Sequence, residues 1–257
     1  MDIYTRLAEL ERTGAEAALA TIIRDQGSVP RRAGTRMIVF SDGHTEGTVG
    51  GGEMENRVTS EAQQVIRDRR PRIVPYSFSD PAHGDPGVCG GEIEVFIEPL
   101  RSRPTLIVVG AGHVGRAVAH LAHWMGFRVV ISDDRPEYAP AGGAADADLT
   151  ICGPLQDMPR QVVIDDQTYI VLTTRNVTVD VAGLPALLET KAAFVGVIGS
   201  RRRWETSVAL LRQAGVPDSR IEQVVSPVGL ELNAETPEEI ALSILAQIVQ
   251  LRRGGSG

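Results

Sequence analysis

Hydrophobic residues follow two different patterns along the chain, and the pattern changes near residue 100. Before that point, short alternating runs predict β-strands, and helical spacing predicts amphipathic helices. After it, short apolar runs alternate with helical stretches, as in parallel sheets covered by helices. The sequence therefore predicts an α/β protein with a small N-terminal α+β domain, residues 1–100, and a doubly wound parallel-sheet domain, residues 104–253. The clearest runs of the second domain are 105–109, 127–131, 169–172 and 194–198.

A glycine turn joins the first of these runs to the helix that follows it. It reads Gly110-Ala111-Gly112-His113-Val114-Gly115. In this dinucleotide-binding fingerprint Gly110 permits a tight turn, Gly112 lets the backbone approach a pyrophosphate, and Gly115 allows close packing of helix on strand. The helix N-terminus attracts the phosphates. The sequence thus predicts a Rossmann-like domain. Its expected cofactor-binding residues are Gly110, Gly112, His113, Val114, Gly115, Asp133, Asp134 and Arg135.

The residues after the second apolar run leave the identity of the nucleotide open. Asp133 stands where an acid accepts the hydroxyls of a ribose; the alternative is a loop acid that caps a turn. Arg135, two residues further on, could instead receive a ribose phosphate. The sequence therefore does not separate NAD from NADP.

Three further groups of residues are candidates for phosphate binding. They are Gly50, Gly51 and Gly52; Arg31 and Arg32; and Gly199 and Ser200 with Arg201, Arg202 and Arg203. The glycine run precedes a helix and either forms a second anion cradle or allows two stretches of backbone to cross closely. Arginines beside glycine turns suit bidentate phosphate contacts, and the alternative for them is an ordinary solvated charge cluster.

Polar residues follow the strand predicted at residues 169–172. Thr173, Arg175 and Asn176 stand at its carboxyl end, where open α/β sheets bind ligands, so they are candidate substrate-contacting groups. We expect the next helix at about residues 182–190. The segment offers no convincing general acid.

The last helix has a complete start signal. Thr236 is the expected N-cap, Pro237 the first helical residue, and Glu239 the partner that closes a capping box.

Composition restricts the classes of function. The chain has 257 residues, 42% hydrophobic and 23% charged, as in ordinary globular proteins. Its formal net charge of -7 argues against a nucleic-acid binder. It has neither an apolar run of about 18 residues nor a secretion signal, so we expect a cytoplasmic protein without a membrane span. Its two cysteines, Cys89 and Cys152, are too few for a disulfide scaffold or a thiolate metal site, and we expect Cys152 to be structural.

Seven stretches, taken together and in order, resemble the XdhC/CoxI family, the accessory factors of molybdenum hydroxylases such as xanthine dehydrogenase and carbon monoxide dehydrogenase. The match spans nearly the whole chain. The seven stretches are specific for the family when taken together, whereas no single stretch is. The stretches are Gly27–Gly34, Gly50–Glu55, Cys89-Gly90-Gly91, Gly110–Gly115, Asp133–Glu137, Ile198–Arg203 and Ala234–Ile240.

The resemblance implies a homodimeric protein that binds molybdenum cofactor, as molybdopterin or its dinucleotide. It also implies a part in sulfuration of the cofactor with a cysteine desulfurase, and transfer to an apo-molybdenum hydroxylase. The nucleoside end of a molybdopterin dinucleotide thereby becomes a third possible occupant of the Asp133 site. Cys89, in a family motif, would hold molybdenum or relay sulfur, because a thiolate suits a soft metal; the alternative is a small residue packed at a strand start.

The chain departs from the family at residues 173–180. Many members look like Thr-His-Asp-His there, whereas only Thr173 and Asp180 are kept in this sequence. Three hypotheses follow. The first is a molybdenum-cofactor chaperone, and the second is an NAD(P)-dependent oxidoreductase that diverged from this family, with Thr173, Arg175, Asn176 and Asp180 in its site. A scaffold that only docks the desulfurase to its client is a third.

Overall fold

The structure, a computed structural model, divides into two compact units, Met1–Arg103 and Pro104–Gly257. Each unit has its own sheet and hydrophobic core. The residues that it describes are 2–13, 15–78, 90–100, 103–138 and 144–254.

The N-terminal unit contains a five-stranded antiparallel sheet with the strand order β3-β2-β1-β5-β4. Because side chains alternate between the faces of a sheet, Ala18 and Ala20 of β1 lie in the core under α2, whereas Ala17 and Leu19 pack with Leu10 of α1. The elements are α1 (Ile3–Thr13), β1 (Ala17–Gln26), β2 (Arg36–Phe40), β3 (Thr45–Gly47), α2 (Gly52–Asp68), β4 (Arg72–Ser77) and β5 (Glu92–Pro99).

The C-terminal unit contains a six-stranded parallel sheet with the strand order β11-β10-β9-β6-β7-β8. Its strands are β6 (Thr105–Val109), β7 (Arg128–Asp133), β8 (Leu149–Cys152), β9 (Thr168–Leu172), β10 (Phe194–Val197) and β11 (Val224–Val225). Its helices are α3 (His113–Trp124), α4 (Val177–Leu188), α5 (Arg201–Gln213), α6 (Asp218–Ile221) and α7 (Pro237–Gly254), with a 3₁₀ helix at Leu155–Arg160.

Helices cover both faces of this parallel sheet. Leu106 and Val108 of β6 pack in one core with α3 and α7, and Ile107 and Val109 pack in the other with α4 and α5. All five side chains of β6 are buried, which explains why its sequence is a continuous apolar run. The fold class predicted from the sequence, an α+β unit followed by a Rossmann-like parallel-sheet unit, is confirmed.

The connections of β6 place a crevice at its carboxyl end. β6 lies between β7 and β9. After β6 the chain forms β7 and β8 on one side of it, and then β9, β10 and β11 on the other side. Ligands of open α/β sheets bind at such a switch point. The glycine turn, Asp133 and Thr173 are all brought to this edge, because the turn follows β6, Asp133 ends β7 and Thr173 follows β9.

The N-termini of α7 and α4 differ in how closely they follow the prediction. The capping box of the last helix is confirmed: Thr236 N–H donates to Glu239 Oε2 at 3.0 Å, and Glu239 N–H donates to Thr236 Oγ1 at 3.3 Å. The helix expected at about residues 182–190 begins earlier, at Val177. The reason is Asn176, whose side-chain oxygen caps the helix by accepting the N–H of Val179 at 3.1 Å.

Among the helices of the described residues, none combines the length and the apolar character required to cross a membrane.

Candidate functional site

Two glycines of the turn are required by the packing of the protein itself. Gly110 has a φ of 97°, and a Cβ there would lie 2.9 Å from the carbonyl oxygen of Thr173. A Cβ on Gly115 would lie 1.9 Å from the carbonyl oxygen of Gly110, which is far too close for two atoms that are not bonded. Helix α3 therefore packs against the turn through Gly115, as the fingerprint predicts.

Gly112 differs from these two glycines. It is the N-cap residue of α3 with φ −68° and ψ −171°, which is ordinary extended backbone, and it provides no side-chain cap. A Cβ there would meet no atom of the described residues within 4 Å. Nothing in the described fold requires glycine, so the open space over the N-terminal N–H groups of α3 is available to a ligand. These N–H groups lack intrahelical acceptors and favour an anion.

A cavity of about 160 Å³ adjoins the turn at the carboxyl ends of β6, β7 and β9. It brings together residues that the sequence analysis selected separately. They are Gly110, Gly112, Asp133, Asp134, Arg135, Thr173 and Arg175.

A second cavity, of about 870 Å³ and mainly apolar, lies along α3 and α7, and Ala111 and His113 of the same turn line it.

Asp133 is bound on all sides by its own chain. Its Oδ2 accepts the N–H of Ala111 at 2.8 Å and Nη2 of Arg135 at 2.9 Å; its Oδ1 accepts the backbone N–H and Nε of Arg135 at 3.0 and 2.9 Å. Burial alone would raise the pKa of Asp133, but the hydrogen bonds from Arg135 and Ala111 outweigh it and lower the pKa below its usual value. Asp133 is therefore an ionised group that fixes the glycine turn to the end of β7.

Arg175 pairs with Asp134 across the same edge. Its Nη1 and Nη2 donate to the two carboxylate oxygens at 2.8 and 3.0 Å, and this contact lowers the pKa of Asp134. Both side chains are exposed at this rim, 45% for Arg175 and 38% for Asp134. An ion pair so exposed exchanges readily with solvent, so Arg175 remains accessible to an anionic ligand.

Thr173 and Asn176 make structural contacts. Thr173 Oγ1 donates to the carbonyl oxygens of Gly110 at 2.7 Å and Val109 at 3.1 Å, which ties the end of β9 to the glycine turn. Asn176 caps α4. The candidate substrate groups predicted here thus include two residues that shape the site by holding its backbone.

A buried polar cluster lies behind Thr174. Asp180 is fully buried; it accepts a hydrogen bond from Thr174 Oγ1 at Oδ1 and one from Arg203 Nη2 at Oδ2, 2.6 Å long. Arg203 also donates to the Thr174 carbonyl oxygen at 3.2 Å. Burial raises the pKa of Asp180 despite these contacts. The cluster links the end of β9 to α4 and α5.

The arginines predicted beside Gly199 and Ser200 take different positions. Arg201 is exposed in the first turn of α5, whereas Arg203 reaches back to the end of β9, with its Cδ only 2.9 Å from where a Cβ of Gly199 would lie. Ser200 caps α5 by accepting the N–H of Arg203 at 3.3 Å. Arg203 thus contacts Thr174 and Asp180 of its own chain.

The glycine run of the N-terminal unit does form an anion cradle, and the chain fills it. Gly50, Gly51 and Gly52 all have positive φ, 142°, 80° and 65°. Glu55 Oε2 accepts the N–H groups of Gly51 at 3.0 Å and Val49 at 3.3 Å. A Cβ on Gly50 would lie 2.8 Å from Cε of Met54 and 3.0 Å from Cγ of Pro30, so the close neighbours there are side chains and not a crossing stretch of backbone.

We expect Glu55→Ala to lower the free energy of unfolding by about 1–3 kcal/mol, because it leaves these N–H groups and Thr48 Oγ1, now 2.5 Å from Glu55 Oε2, without their acceptor. Urea unfolding measures the change. The matched control is Glu53→Ala, in the same helical turn and exposed. Equal losses in the two variants would contradict the assignment and leave only the helix dipole.

Arg31 and Arg32 are the remaining candidates among the described residues of the N-terminal unit. Arg32 pairs with Asp25 at 2.7 Å, and Arg31 is exposed. Cys89, predicted to handle molybdenum or sulfur, lies outside the described residues. In the part of the chain that is described, no group of three His, Cys, Asp or Glu side chains could hold a metal ion.

Cys152 lies at the carboxyl end of β8 and is exposed, so the expectation of a packed, structural cysteine is wrong. Of the four residues of β8, only Ile151 is buried, and the strand ends at the exposed Cys152.

Comparisons with known proteins agree with this architecture. Residues 106–248 match the XdhC Rossmann domain, and residues 10–77 match the XdhC and CoxI family. The uncharacterized protein YqeB of Escherichia coli is 34% identical over the whole chain, but the chain spans only 47% of that protein. The molybdenum cofactor insertion chaperone PaoD of Escherichia coli is 25% identical over 93% of the chain and 85% of its own length.

A solved structure covers both units. The crystal structure of a xanthine dehydrogenase from Bacillus halodurans is 26% identical and matches 99% of this chain and 96% of its own, with a TM-score of 0.52. The two family matches lie in the order of the two units and together cover most of the chain, so this protein belongs to the XdhC and CoxI family.

Proposed function

We propose that this protein is an accessory factor that binds molybdenum cofactor, as molybdopterin or its dinucleotide, and delivers it to an apo-molybdenum hydroxylase such as xanthine or carbon monoxide dehydrogenase. The observation that carries the proposal is Gly112, a glycine that no described neighbour requires, at the open N-terminus of α3. Membership of the family and similarity to a molybdenum cofactor insertion chaperone support the choice of cargo.

The residues of the glycine turn fit the phosphate of this cargo. The N–H groups of His113 and Val114, in the first turn of α3, would donate to the phosphate oxygens, and the helix dipole would add to the attraction. Arg175 at the rim would supply a cation. The apolar cavity of about 870 Å³ on the other side of the turn is large enough for a ring system. The cargo supplies the molybdenum centre that the client enzyme uses.

Cys89 is the residue proposed to meet the metal or to relay sulfur. Sulfuration would require a cysteine desulfurase as a partner, and the family resemblance favours a homodimer as the working form. A thiolate is the protein ligand best suited to soft molybdenum and to sulfur exchange. Cys89→Ala tests this part alone, because cofactor retention through the phosphate would persist while sulfur transfer would fail.

Delivery is tested by reconstitution. The purified protein, loaded anaerobically with isolated cofactor, is mixed with an apo-molybdenum hydroxylase, and the molybdenum content of the re-isolated hydroxylase is measured. We expect faster loading than with the same amount of free cofactor. Loading at the same rate with and without the protein would refute delivery.

The second candidate is an NAD(P)-dependent oxidoreductase. The intact fingerprint and the acid at the end of β7 favour it. The two carboxyl groups that line the crevice, Asp133 and Asp134, both have a pKa below the usual value, so they are poor general acids, which weakens this candidate. Calorimetric titration of the wild type with NADH and with NADPH separates the candidates, since the absence of binding of both would reject the oxidoreductase.

A further inference from the structure

Asp133 occupies the position at which the fingerprint places a ribose acceptor, at the carboxyl end of β7 and beside the glycine turn. A carboxylate offers about four lone-pair positions to donors. Two backbone N–H groups, of Ala111 and Arg135, and two guanidinium nitrogens of Arg135 take all four, at 2.8 to 3.0 Å. With its side chain only 2% exposed, Asp133 has no free acceptor for a ribose hydroxyl.

Arg135 is held in this position from its other side. The guanidinium carbon lies 3.7 Å from the centroid of the Tyr138 ring, a close cation–π contact. The backbone N–H of Tyr138 donates to the carbonyl oxygen of Arg135 at 3.0 Å, so a local turn fixes the spacing of the two residues. Displacing the guanidinium would break the bidentate ion pair and the ring contact together.

The room beside Asp133 agrees with this arrangement. The cavity lined by Asp133, Arg135 and the glycine turn has a volume of about 160 Å³, below the range of about 300–1,000 Å³ of pockets that enclose whole small molecules. A phosphate group fits this space.

We propose that Arg135 is a specificity-determining residue that closes the ribose site, so that the cradle takes the phosphate of a ligand that presents no free ribose diol to Asp133. The inference rests on the proposed phosphate cradle and names the class of ligand that it accepts. It disfavours NAD and the nucleoside end of a molybdopterin dinucleotide, and it favours a ligand that ends in a phosphate, such as molybdopterin.

The test compares NAD⁺, which presents a free diol, with inorganic pyrophosphate, which presents only phosphates, by calorimetric titration. The variant is Arg135→Met, which keeps an apolar stem over Tyr138 and removes the guanidinium. We expect NAD⁺ to bind at least about tenfold tighter to the variant than to the wild type, since hydrogen bonds to a freed carboxylate are strong. Pyrophosphate affinity should fall or stay the same, because the variant removes a cation beside the cradle and pyrophosphate gains no contact with Asp133. Arg135→Ala is a second variant should the first fold poorly.

The matched control is Arg212→Met. Arg212 Nε also pairs with an aspartate, Asp218, at 2.7 Å, but on α5 and α6, outside the residues that line the cradle. This variant should leave both affinities at their wild-type values.

Each outcome separates this inference from the proposed function. Unchanged NAD⁺ affinity in both Arg135 variants, with pyrophosphate still bound, would overturn the exclusion and leave the cradle intact. Tight NADP⁺ binding by the wild type that Arg135→Met abolishes would also overturn it, because Arg135 would then receive a ribose phosphate. If the wild type binds no pyrophosphate, the cradle itself fails, and a gain of NAD⁺ binding in the variants would still report on Arg135.

Discussion

Gly115→Ala is expected to lower the free energy of unfolding of the C-terminal unit by about 3 kcal/mol or more. The new Cβ would lie 1.9 Å from the carbonyl oxygen of Gly110 and 2.7 Å from Thr173 Oγ1. The first of these atoms belongs to backbone, so it cannot rotate away; α3 would have to move off the turn and weaken the contacts of the turn with β9. Urea unfolding followed by circular dichroism measures the loss.

Gly112→Ala is the matched control, because it adds the same methyl group to the same turn. A Cβ at Gly112 meets no described atom within 4 Å, and the backbone angles suit any residue. Its free energy of unfolding should stay within about 1 kcal/mol of wild type, the usual range for losing a glycine N-cap. If both variants lost the same stability, the assignment of different tasks to the two glycines would be wrong.

Asp180→Ala should also be severely destabilising, by about 3 kcal/mol or more, because it removes one partner of a buried ion pair. Arg203 would keep a largely buried guanidinium without its 2.6 Å carboxylate contact, and Thr174 would lose its acceptor. Asp134→Ala is the comparison: it removes an Asp–Arg pair at the exposed rim of the same crevice, and we expect a much smaller change.

The double variant Asp180→Leu/Arg203→Met tests the physical cause. If the loss in Asp180→Ala comes from a stranded charge, removal of both charges should recover much of it. Recovery in the double variant would identify a charge effect. A double variant less stable than Asp180→Ala would show instead that the hydrogen-bond geometry of the cluster holds the end of β9 in place.

The sequence predicts the layers of the fold well because the responsible pattern is local. A short apolar run that ends at a glycine turn, such as residues 105–109, indicates a strand buried on both faces. The helical spacing of apolar residues after Gly112 indicates α3. The capping box at Thr236 and Glu239 is equally local, since its two partners are three residues apart.

The site is less predictable because its contacts join residues that are distant in sequence. Arg175 finds Asp134 across 41 positions, and Arg203 finds Asp180 across 23. Residues so far apart follow no periodic pattern from which the contact between them could be predicted. Asn176 was predicted as a substrate group because polarity at a strand end fits both a ligand contact and a helix cap, and only the position of Val179 N–H decides between them.

Some anion sites are filled by a side chain of the same protein, and this is a further reason why the binding site is hard to predict from the sequence. Glycine runs indicate where backbone N–H groups converge, but not what they bind. At Gly51 the occupant is Glu55 of the same chain, whereas at Gly112 no described side chain takes that place. This contrast is the reason for assigning the cofactor phosphate to the C-terminal unit.

The most direct test of that assignment is the affinity of isolated molybdenum cofactor for the wild type and for Gly112→Asp, measured anaerobically from retained molybdenum. Aspartate is a favoured N-cap, so the variant should be as stable as the wild type, while its carboxylate would occupy and repel the phosphate position. We expect the wild type to retain cofactor and the variant to bind it at least about 100-fold more weakly, as for loss of several charge-assisted hydrogen bonds. Equal retention by the two folded proteins would contradict the phosphate cradle at α3.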